Sequence, residues 1–517
     1  MIFSWYARLL LALASGVALA LSFPNYNLSL LAWVAIAMLV LASSGAKPAV
    51  SPLYGFVHGL AFYPICLPWI DVVMRQYGDV SALDSAAILG LIALFGGILM
   101  SIFSLGIALA SRKSLALACA LAPPLWVTLE FARAHLPIVS FPWNLTGYAA
   151  SGNLALVQLT AVTGIWGLSF LIAAYSALLA YAILSARQRA WKALLMFTAV
   201  LIVIALGCPR FVPRAMPTHV AHLVQTNFPQ SEEYPADWMQ IHAGELAQLE
   251  NISVSAAQRA PGLIVWPEVP APFSLHDPNF ANLATRIAQR SGAYFLVGIV
   301  DWKLVPQQSP SAQWQASNSA VLLDPSGKRI FTYDKIHLVP FGEYVPLRRW
   351  LTFVNKLTAD IGDFTPGTEY RVGATPDGTF GAFICYEGIF PNEVRQFTLR
   401  GAQLLINMSN DGWFGRSSAP AQHAMMERVR AVENRRWLLR DTNNGFTFAV
   451  DPYGRVVAEM PTDVRSQLDA PYAFRSGLTL YARFGDWLPW LSLIATVGIL
   501  GVAMAPRRES SPPQPDS

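Results

Sequence analysis

Long apolar runs dominate the first 207 residues, and shorter alternating runs replace them after about residue 218. A bilayer core of about 30 Å is crossed by roughly 20 apolar residues in a helix. The first run resembles a signal peptide, but the spans behind it favour an uncleaved helix. The pattern predicts eight transmembrane helices, near residues 8–23, 27–44, 51–70, 85–110, 115–134, 162–185, 191–207 and 487–505.

The segment between the seventh and eighth spans has the pattern of a folded soluble domain. Helical periodicity marks residues 236–258, 278–291, 392–400 and 420–436. Strands and helices in alternation predict an α/β layered fold whose sheets are covered by helices. The predicted strands are 220–227, 263–268, 294–300, 319–323, 330–333, 379–387, 404–409, 437–442 and 447–450.

The charge distribution separates the same two regions. Only 13% of the 517 residues are charged, against roughly a quarter in ordinary soluble domains. The first 207 residues hold only 13 of the 68 charged side chains, so most charged residues follow residue 207. A net charge of +4 without a basic run gives no support to nucleic-acid binding.

Basic residues between the spans predict the orientation. With a cytoplasmic N-terminus, nine basic residues lie in inner loops and four in outer loops, as the positive-inside rule requires. We therefore expect a membrane domain at 1–208, an extracytoplasmic domain at 217–475, a last helix at 486–506 and a disordered cytoplasmic tail at 507–517. The inner residues are Arg8, Lys47, Arg112, Lys113, Arg187, Arg189, Lys192, Arg507 and Arg508, and the outer ones are Arg75, Arg133, Arg210 and Arg214.

The four cysteines indicate neither a disulfide scaffold nor a zinc site. No two of them have metal-ligand spacing, and Cys385 alone lies in the soluble region. The sequence also lacks the glycine-rich nucleotide-binding motifs and the serine-hydrolase elbow. We expect neither a metal nor a cofactor.

Three ionisable residues lie at or near the ends of predicted strands in the soluble region. Glu268 ends 263–268, Lys335 follows 330–333, and Cys385 lies within 379–387. A carboxylate that takes a thiol proton, a thiolate that attacks a carbonyl and a fixed ammonium beside the oxyanion suffice for acyl transfer. Each residue also has an ordinary alternative, since a lone cysteine often packs in a core and a charged residue after a strand is often exposed.

The segments around these residues resemble a known superfamily. Trp266-Pro267-Glu268, Tyr333–Tyr344 and Ile384–Glu387 are similar to the signature segments of the nitrilase, or carbon–nitrogen hydrolase, superfamily. With seven spans before it and one after it, the Leu-Val-Pro-Phe-Gly-Glu form at 338–343 resembles the apolipoprotein N-acyltransferases. The resemblance extends through further segments, at 141–145, 164–170, 407–415, 420–423, 430–435 and 481–487.

The resemblance implies an αββα sandwich in the periplasm of the bacterial inner membrane, with both termini cytoplasmic. It implies acyl transfer from a phospholipid, usually phosphatidylethanolamine, through a Cys385 thioester to the amine of a diacylglyceryl-cysteine that begins an apolipoprotein. Glu268 is then the base and Lys335 the oxyanion cation. The partners are membrane lipid and these two substrates, with no nucleic acid, and we expect a monomer. Supporting residues are Glu343, Tyr386 and Glu387, and substrate-binding ones are Asn318, Phe341, Trp413 and Phe414.

Two alternatives share parts of this pattern. A membrane-anchored amidase or nitrilase would use the same three residues with water as the acceptor, although one anchor would serve it. A transporter or lipid-binding protein with an inactive nitrilase-like domain would lack a catalytic residue, and all three are present. His337 and His423 are expected to be structural, and either Tyr234 or Trp238 takes an aromatic position of the family.

Overall fold

A computed structural model describes residues 3–78, 80–136, 140–230, 234–305, 313–340, 342–344 and 364–506. Phe341 and the predicted tail 507–517 lie outside these residues. The helices of the membrane region are α1 (Trp5–Leu21), α2 (Ala32–Ser43), α3 (Ser51–Cys66), α4 (Trp69–Tyr77), α5 (Ala82–Lys113), α6 (Leu115–His135), α7 (Thr160–Thr163), α8 (Trp166–Ser185) and α9 (Gln188–Ile202).

The remaining helices belong to the soluble region and to the end of the described chain. They are α10 (Trp238–Ile241), α11 (Ala243–Arg259), α12 (Pro278–Ser291), α13 (Pro391–Leu399), α14 (Ala419–Asn434), α15 (Leu480–Phe484) and α16 (Trp487–Met504). The strands are β1 (His219–Gln225), β2 (Leu263–Val265), β3 (Phe295–Val305), β4 (Gln313–Leu323), β5 (Arg329–Asp334), β6 (Val372–Thr375), β7 (Gly378–Ile384), β8 (Leu404–Ser409), β9 (Trp437–Thr442), β10 (Phe448–Val450), β11 (Val456–Glu459) and β12 (Ser466–Tyr472).

Several helices of the first region are apolar enough to cross a bilayer. Among the described residues, five pass on length and composition: Ala82–Lys113, Leu115–His135, Trp166–Ser185, Gln188–Gly207 and Trp487–Met504. The helices Trp5–Leu21 and Ser29–Ser43 are apolar but shorter. The number eight therefore stays a prediction.

The expected single span at 51–70 is two helices. α3 and α4 meet at an angle of 53°. Pro64 lies inside α3 and Pro68 caps α4, and a proline removes a backbone N–H and crowds the preceding turn. Taken together, the two helices are long and apolar enough to count as a sixth, broken span.

The soluble region folds into two six-stranded sheets. Their orders are β12-β1-β2-β3-β4-β5 and β11-β10-β9-β8-β7-β6. Strands β1, β2 and β3 run parallel, as do β7, β8 and β9. Side chains from both sheets share one buried core, and α11 and α12 cover the outer face of the first sheet. This is the α/β sandwich that the sequence predicts, with β6, β11 and β12 added at the sheet edges.

Helix α14 joins the sandwich to the membrane helices. Its apolar residues Met426, Val429 and Val432 belong to the same buried core as the membrane helices. Trp143 Nε1 donates to Gln422 Oε1 at 2.6 Å, and Ile165 N donates to Glu433 Oε1 at 2.8 Å. The joint between the two regions is therefore both apolar and hydrogen-bonded.

Helix α16 packs back on the helices at the start of the chain. Its neighbours are α5 and α6. The rings of Phe131 and Trp490 meet edge to face at 5.3 Å, and the hydroxyls of Thr128 and Thr496 lie 3.3 Å apart. Lys113 Nζ donates to the Val502 carbonyl at 3.1 Å. The last helix thus completes the bundle that the first helices begin.

One carboxylate in the sandwich is buried without an ion pair. Asp441 on β9 has no exposed surface, and no basic side chain of the described residues forms a salt bridge with it. Burial raises the pKa of Asp441 well above its ordinary value. The folded protein therefore holds this proton more tightly than the unfolded chain does.

The sign of this shift predicts the effect of Asp441→Asn. Stability from a raised carboxyl pKa is complete below about pH 4 and falls as the pH rises towards the folded pKa. Since asparagine stays neutral, we expect the variant to unfold at a higher temperature than wild type at pH 8, with a smaller difference at pH 5. Thermal unfolding in detergent measures this, with the exposed Glu459→Gln as control. A pH-independent difference would contradict the prediction.

Candidate functional site

Glu268, Lys335 and Cys385 lie at the same edge of the sandwich. Glu268 follows β2, Lys335 follows β5, and Cys385 follows β7. β2 is parallel to β1 and β3, β7 is parallel to β8, and β5 regains the direction of β3 after two antiparallel pairings. The carboxyl ends of such strands are where α/β folds place their ligands. All three residues are buried.

Lys335 lies between two carboxylates. Its Nζ is 2.9 Å from Glu268 Oε1 and 3.0 Å from Glu343 Oε2, with 1% of its side chain exposed. Burial opposes the charge, but Glu268 and Glu343 raise the pKa of Lys335 well above its ordinary value. Lys335 is therefore a fixed ammonium at neutral pH.

Hydrogen bonds hold both carboxylates in place. Asn318 Nδ2 donates to Glu268 Oε1 at 2.8 Å and to Glu343 Oε1 at 2.7 Å. The backbone N–H of Asn410 donates to Glu268 Oε2 at 3.0 Å, and that of Val339 donates to Glu343 Oε2 at 2.8 Å. Because these donors fix the side chains before any substrate binds, the site is preorganised.

Cys385 has a left-handed backbone and a protonated thiol. Its φ is +47°, a conformation that costs a residue with a Cβ about 1–2 kcal/mol. Burial and the charge of Glu268 raise the pKa of the Cys385 thiol well above its usual value, while Lys335 opposes them. The thiol therefore needs a base before it can attack, and Glu268 is the carboxylate whose charge it feels most.

Glu387 ties the ends of two strands together. Its Oε2 accepts a hydrogen bond from Ile384 N at 2.7 Å, and its Oε1 accepts from Ile336 N at 2.7 Å and from Tyr333 Oη at 2.6 Å. His337 N donates to the same Oε1 at 3.2 Å. Burial raises the pKa of Glu387 to about 7, although these donors favour the ionised form. One carboxylate thus sets the spacing between the strand that leads to the thiol and the strand that leads to the ammonium.

The predicted substrate-binding aromatics lie where the sandwich meets the membrane helices. Trp413 is 36% exposed, and its ring lies 5.4 Å from Tyr77 at the end of α4. Phe414 contacts Trp69 at 5.5 Å. Tyr386 is buried and packs in the core of the membrane helices.

The two histidines of the sequence have different surroundings. His337 stacks on Phe390 at 3.9 Å and lies 2.7 Å from Glu393 Oε1. His423 is fully buried behind Cys385, with Asp411 and Arg440 as neighbours. The sequence assigns no site role to Asp411 or Arg440. Asp411 follows β8, His423 lies on α14 and Arg440 lies on β9, so only the fold brings the three together.

We expect Glu387→Gln to destabilise the fold. Glutamine has a single acceptor oxygen, so its amide would face either Ile384 N or the donors at Ile336 and Tyr333. An unsatisfied buried donor costs about 1–3 kcal/mol, which lowers the midpoint of thermal unfolding by several degrees. Glu369→Gln, at a side chain that is 72% exposed, is the control and should change the midpoint little. Equal unfolding midpoints for both variants would contradict the role of Glu387 in holding the two strand ends together.

Solved structures resemble about half of this chain, and only distantly. An amidase from Nesterenkonia sp. matches with 20% identity and a TM-score of 0.37, over 53% of this chain and 94% of that chain. Nit3 from Saccharomyces cerevisiae, a nitrilase-superfamily member, matches with 20% identity and a TM-score of 0.37, over 50% of this chain and 90% of that chain.

Family models and relatives cover much more of the chain. Residues 229–470 match the carbon–nitrogen hydrolase family, and residues 15–178 match the apolipoprotein N-acyltransferase N-terminal domain. The apolipoprotein N-acyltransferase of Geobacter metallireducens is 37% identical, over 97% of this chain and 96% of its own length. That of Methylococcus capsulatus is 32% identical, over 97% of both chains. The chain therefore belongs to the apolipoprotein N-acyltransferase family.

Proposed function

We propose that this protein moves a fatty acyl chain from a phospholipid, through a thioester on Cys385, to the α-amino group of the diacylglyceryl-cysteine of apolipoproteins. The observation that carries the proposal is the ammonium of Lys335 between Glu268 and Glu343, at the same strand ends as the buried thiol of Cys385. Membership of the family supports the choice of acceptor.

The first half-reaction forms the thioester. Glu268 takes the proton of the Cys385 thiol, and the sulfur attacks the ester carbonyl of the phospholipid. Lys335 stabilises the oxyanion that develops. The C–O bond of the ester then breaks, and the lysophospholipid alkoxide takes the proton from Glu268. The enzyme is left with an acyl group on sulfur and an ionised Glu268.

The second half-reaction forms the amide. A neutral acceptor amine attacks the thioester carbonyl, and Glu268 takes the proton that the nitrogen loses. The C–S bond breaks, and the thiolate regains this proton to restore the resting thiol. Because one thioester serves two substrates in turn, the kinetics are ping-pong.

The membrane helices fit two lipid substrates. Each methylene removed from lipid into water costs about 0.8 kcal/mol, so a 16-carbon chain represents on the order of 10 kcal/mol. Tyr386, next to the thiol, packs in the same core as the membrane helices. Such a site lets the ester reach sulfur while the tail stays among apolar side chains. We place the catalytic domain outside the cytoplasmic membrane of a bacterium, with both termini cytoplasmic.

The thioester is directly measurable. Purified protein incubated with phosphatidylethanolamine should gain the mass of one acyl group, which hydroxylamine removes. Cys385→Ser should gain no thioester, and the control Cys208→Ser, at a half-buried cysteine outside the site, should behave as wild type. Wild type without an adduct, but with hydrolysis of a small amide, would overturn the proposal in favour of a membrane amidase.

The orientation has its own test. In a Cys208→Ser background, Lys328→Cys lies on the catalytic domain and Gln188→Cys lies at the first residue of α9, both at exposed positions. A maleimide that cannot cross membranes should label Lys328→Cys in intact spheroplasts and Gln188→Cys only after lysis. The reverse pattern would contradict the orientation.

A further inference from the structure

A cluster of four charged side chains lies behind Cys385 and takes no part in the proposed chemistry. Its members are Asp411, His423, Glu427 and Arg440, each 2% exposed or less. Charges at such depth are stable only when they are paired and hydrogen-bonded. We call these four residues the buried charge cluster.

The pairing within the buried charge cluster involves every member. Arg440 Nε lies 2.5 Å from Glu427 Oε2, and Arg440 Nη2 lies 3.0 Å from Asp411 Oδ1. His423 Nδ1 lies 3.3 Å from Asp411 Oδ1, and His423 Nε2 lies 2.8 Å from Glu427 Oε1. Two carboxylates face one guanidinium, so a charged imidazole balances the cluster. Burial opposes that charge, but Glu427 and Asp411 raise the pKa of His423 to about 9.

The buried charge cluster reaches the nucleophile through the main chain. His423 Nε2 lies 3.2 Å from the carbonyl oxygen of Cys385. A carbonyl oxygen only accepts hydrogen bonds, so the ring donates to it through Nε2–H. Glu427 Oε1 lies 2.8 Å from the same Nε2 but accepts no hydrogen bond from the described residues, so this N–H is directed at the carbonyl. Glu427 also packs against the next turn, where a Cβ on Gly388 would lie 2.4 Å from Glu427 Oε1. The cluster therefore touches the turn that carries the thiol at two points.

The segment between α6 and α7 of the membrane region contacts the same imidazole ring. Trp143 stacks on His423 with ring centres 5.7 Å apart and an interplanar angle of 25°. Gln422 precedes His423 on α14. Gln422 Oε1 accepts a hydrogen bond from Trp143 Nε1 at 2.6 Å, and Gln422 Nε2 donates to the Cys66 carbonyl at 3.0 Å. The position of His423 is thus set from the membrane side as well as from the sandwich.

We propose that His423 is a positioning residue for the reaction, because its Nε2–H anchors the carbonyl of Cys385 and holds the nucleophile in its left-handed conformation. The contact acts on the backbone of the residue that attacks, not on the substrate. Trp143 makes this anchor depend on correct docking of the catalytic domain on the membrane helices. The inference rests on the proposed role of Cys385 as the nucleophile.

Two amide substitutions separate positioning from packing. In His423→Gln the amide nitrogen reaches about as far as Nε2, so it retains a donor for the Cys385 carbonyl. In His423→Asn the amide reaches only the Nδ1 position, so the donor from residue 423 is lost and the carbonyl keeps only the longer contact from Asn407 Nδ2, at 3.5 Å, among the described residues. Both variants are uncharged, smaller than histidine and placed in the same cluster, which makes each the control for the other.

The experiment measures the rate of acyl-enzyme formation on the full-length protein in detergent, by intact mass, across a series of phosphatidylethanolamine concentrations. We expect His423→Asn to lower the maximal acylation rate roughly 10- to 100-fold, the scale of a misplacement of about 1 Å. The half-saturating lipid concentration should stay unchanged. His423→Gln should recover the rate to within a few-fold of wild type. Thermal unfolding of the same samples gives the folded fraction.

Two outcomes would overturn the inference: acylation of folded His423→Asn at the wild-type rate, or equal losses in both variants that follow their unfolding temperatures. If His423→Asn does not fold, His423→Gln still decides, since a folded Gln variant with a rate reduced 100-fold contradicts the anchor. A wild-type protein that forms no thioester instead overturns the proposed function, so the two failures are distinguishable.

Discussion

The ammonium of Lys335 has 1% of its side chain exposed, and a charge at that depth is stable only where ionised and hydrogen-bonding partners replace its water. Glu268 and Glu343 supply these partners, and Asn318 fixes both carboxylates through one amide. Asn318 lies on β4, Glu268 follows β2, and Glu343 lies in the loop after β5. The ammonium of Lys335 is therefore stabilised only when the sandwich is assembled. Burial and the charge of Glu268 raise the pKa of the Cys385 thiol well above its usual value, while Lys335 opposes them.

Helix α14 serves two sets of contacts. Gln422 and Glu433 bind groups of the membrane helices, while His423 and Glu427 face the turn behind the thiol. Fully buried polar contacts of this kind tolerate little displacement, because each unpaired group would carry its full desolvation cost. The geometry of the site and the docking of the catalytic domain on the membrane helices are therefore parts of one arrangement.

Much of this arrangement is readable from the sequence, and the exceptions have physical reasons. Strand β8 and helix α12 begin and end where periodicity predicts, because their patterns are bounded by clear turn and capping residues. The bend between α3 and α4 was missed, because two prolines interrupt a segment whose composition remains apolar. Strand-end positions and the family motifs predict Glu268, Lys335, Glu343 and Asn318 as site residues, and the structure brings these four into contact. Their roles in catalysis stay predictions. The pairing of Arg440 with Asp411 spans 29 residues and arises only from parallel pairing of β8 with β9, which no local pattern reveals.

The packing of α16 on α5 and α6 has a consequence for biosynthesis. The ribosome makes the first helices early, but the helix that covers them comes only after the entire catalytic domain has been translated. Until then the surface of α6 that receives Trp490 and Thr496 has no partner from its own chain. The site on α6 that α16 fills is therefore occupied only after the sandwich has been translated.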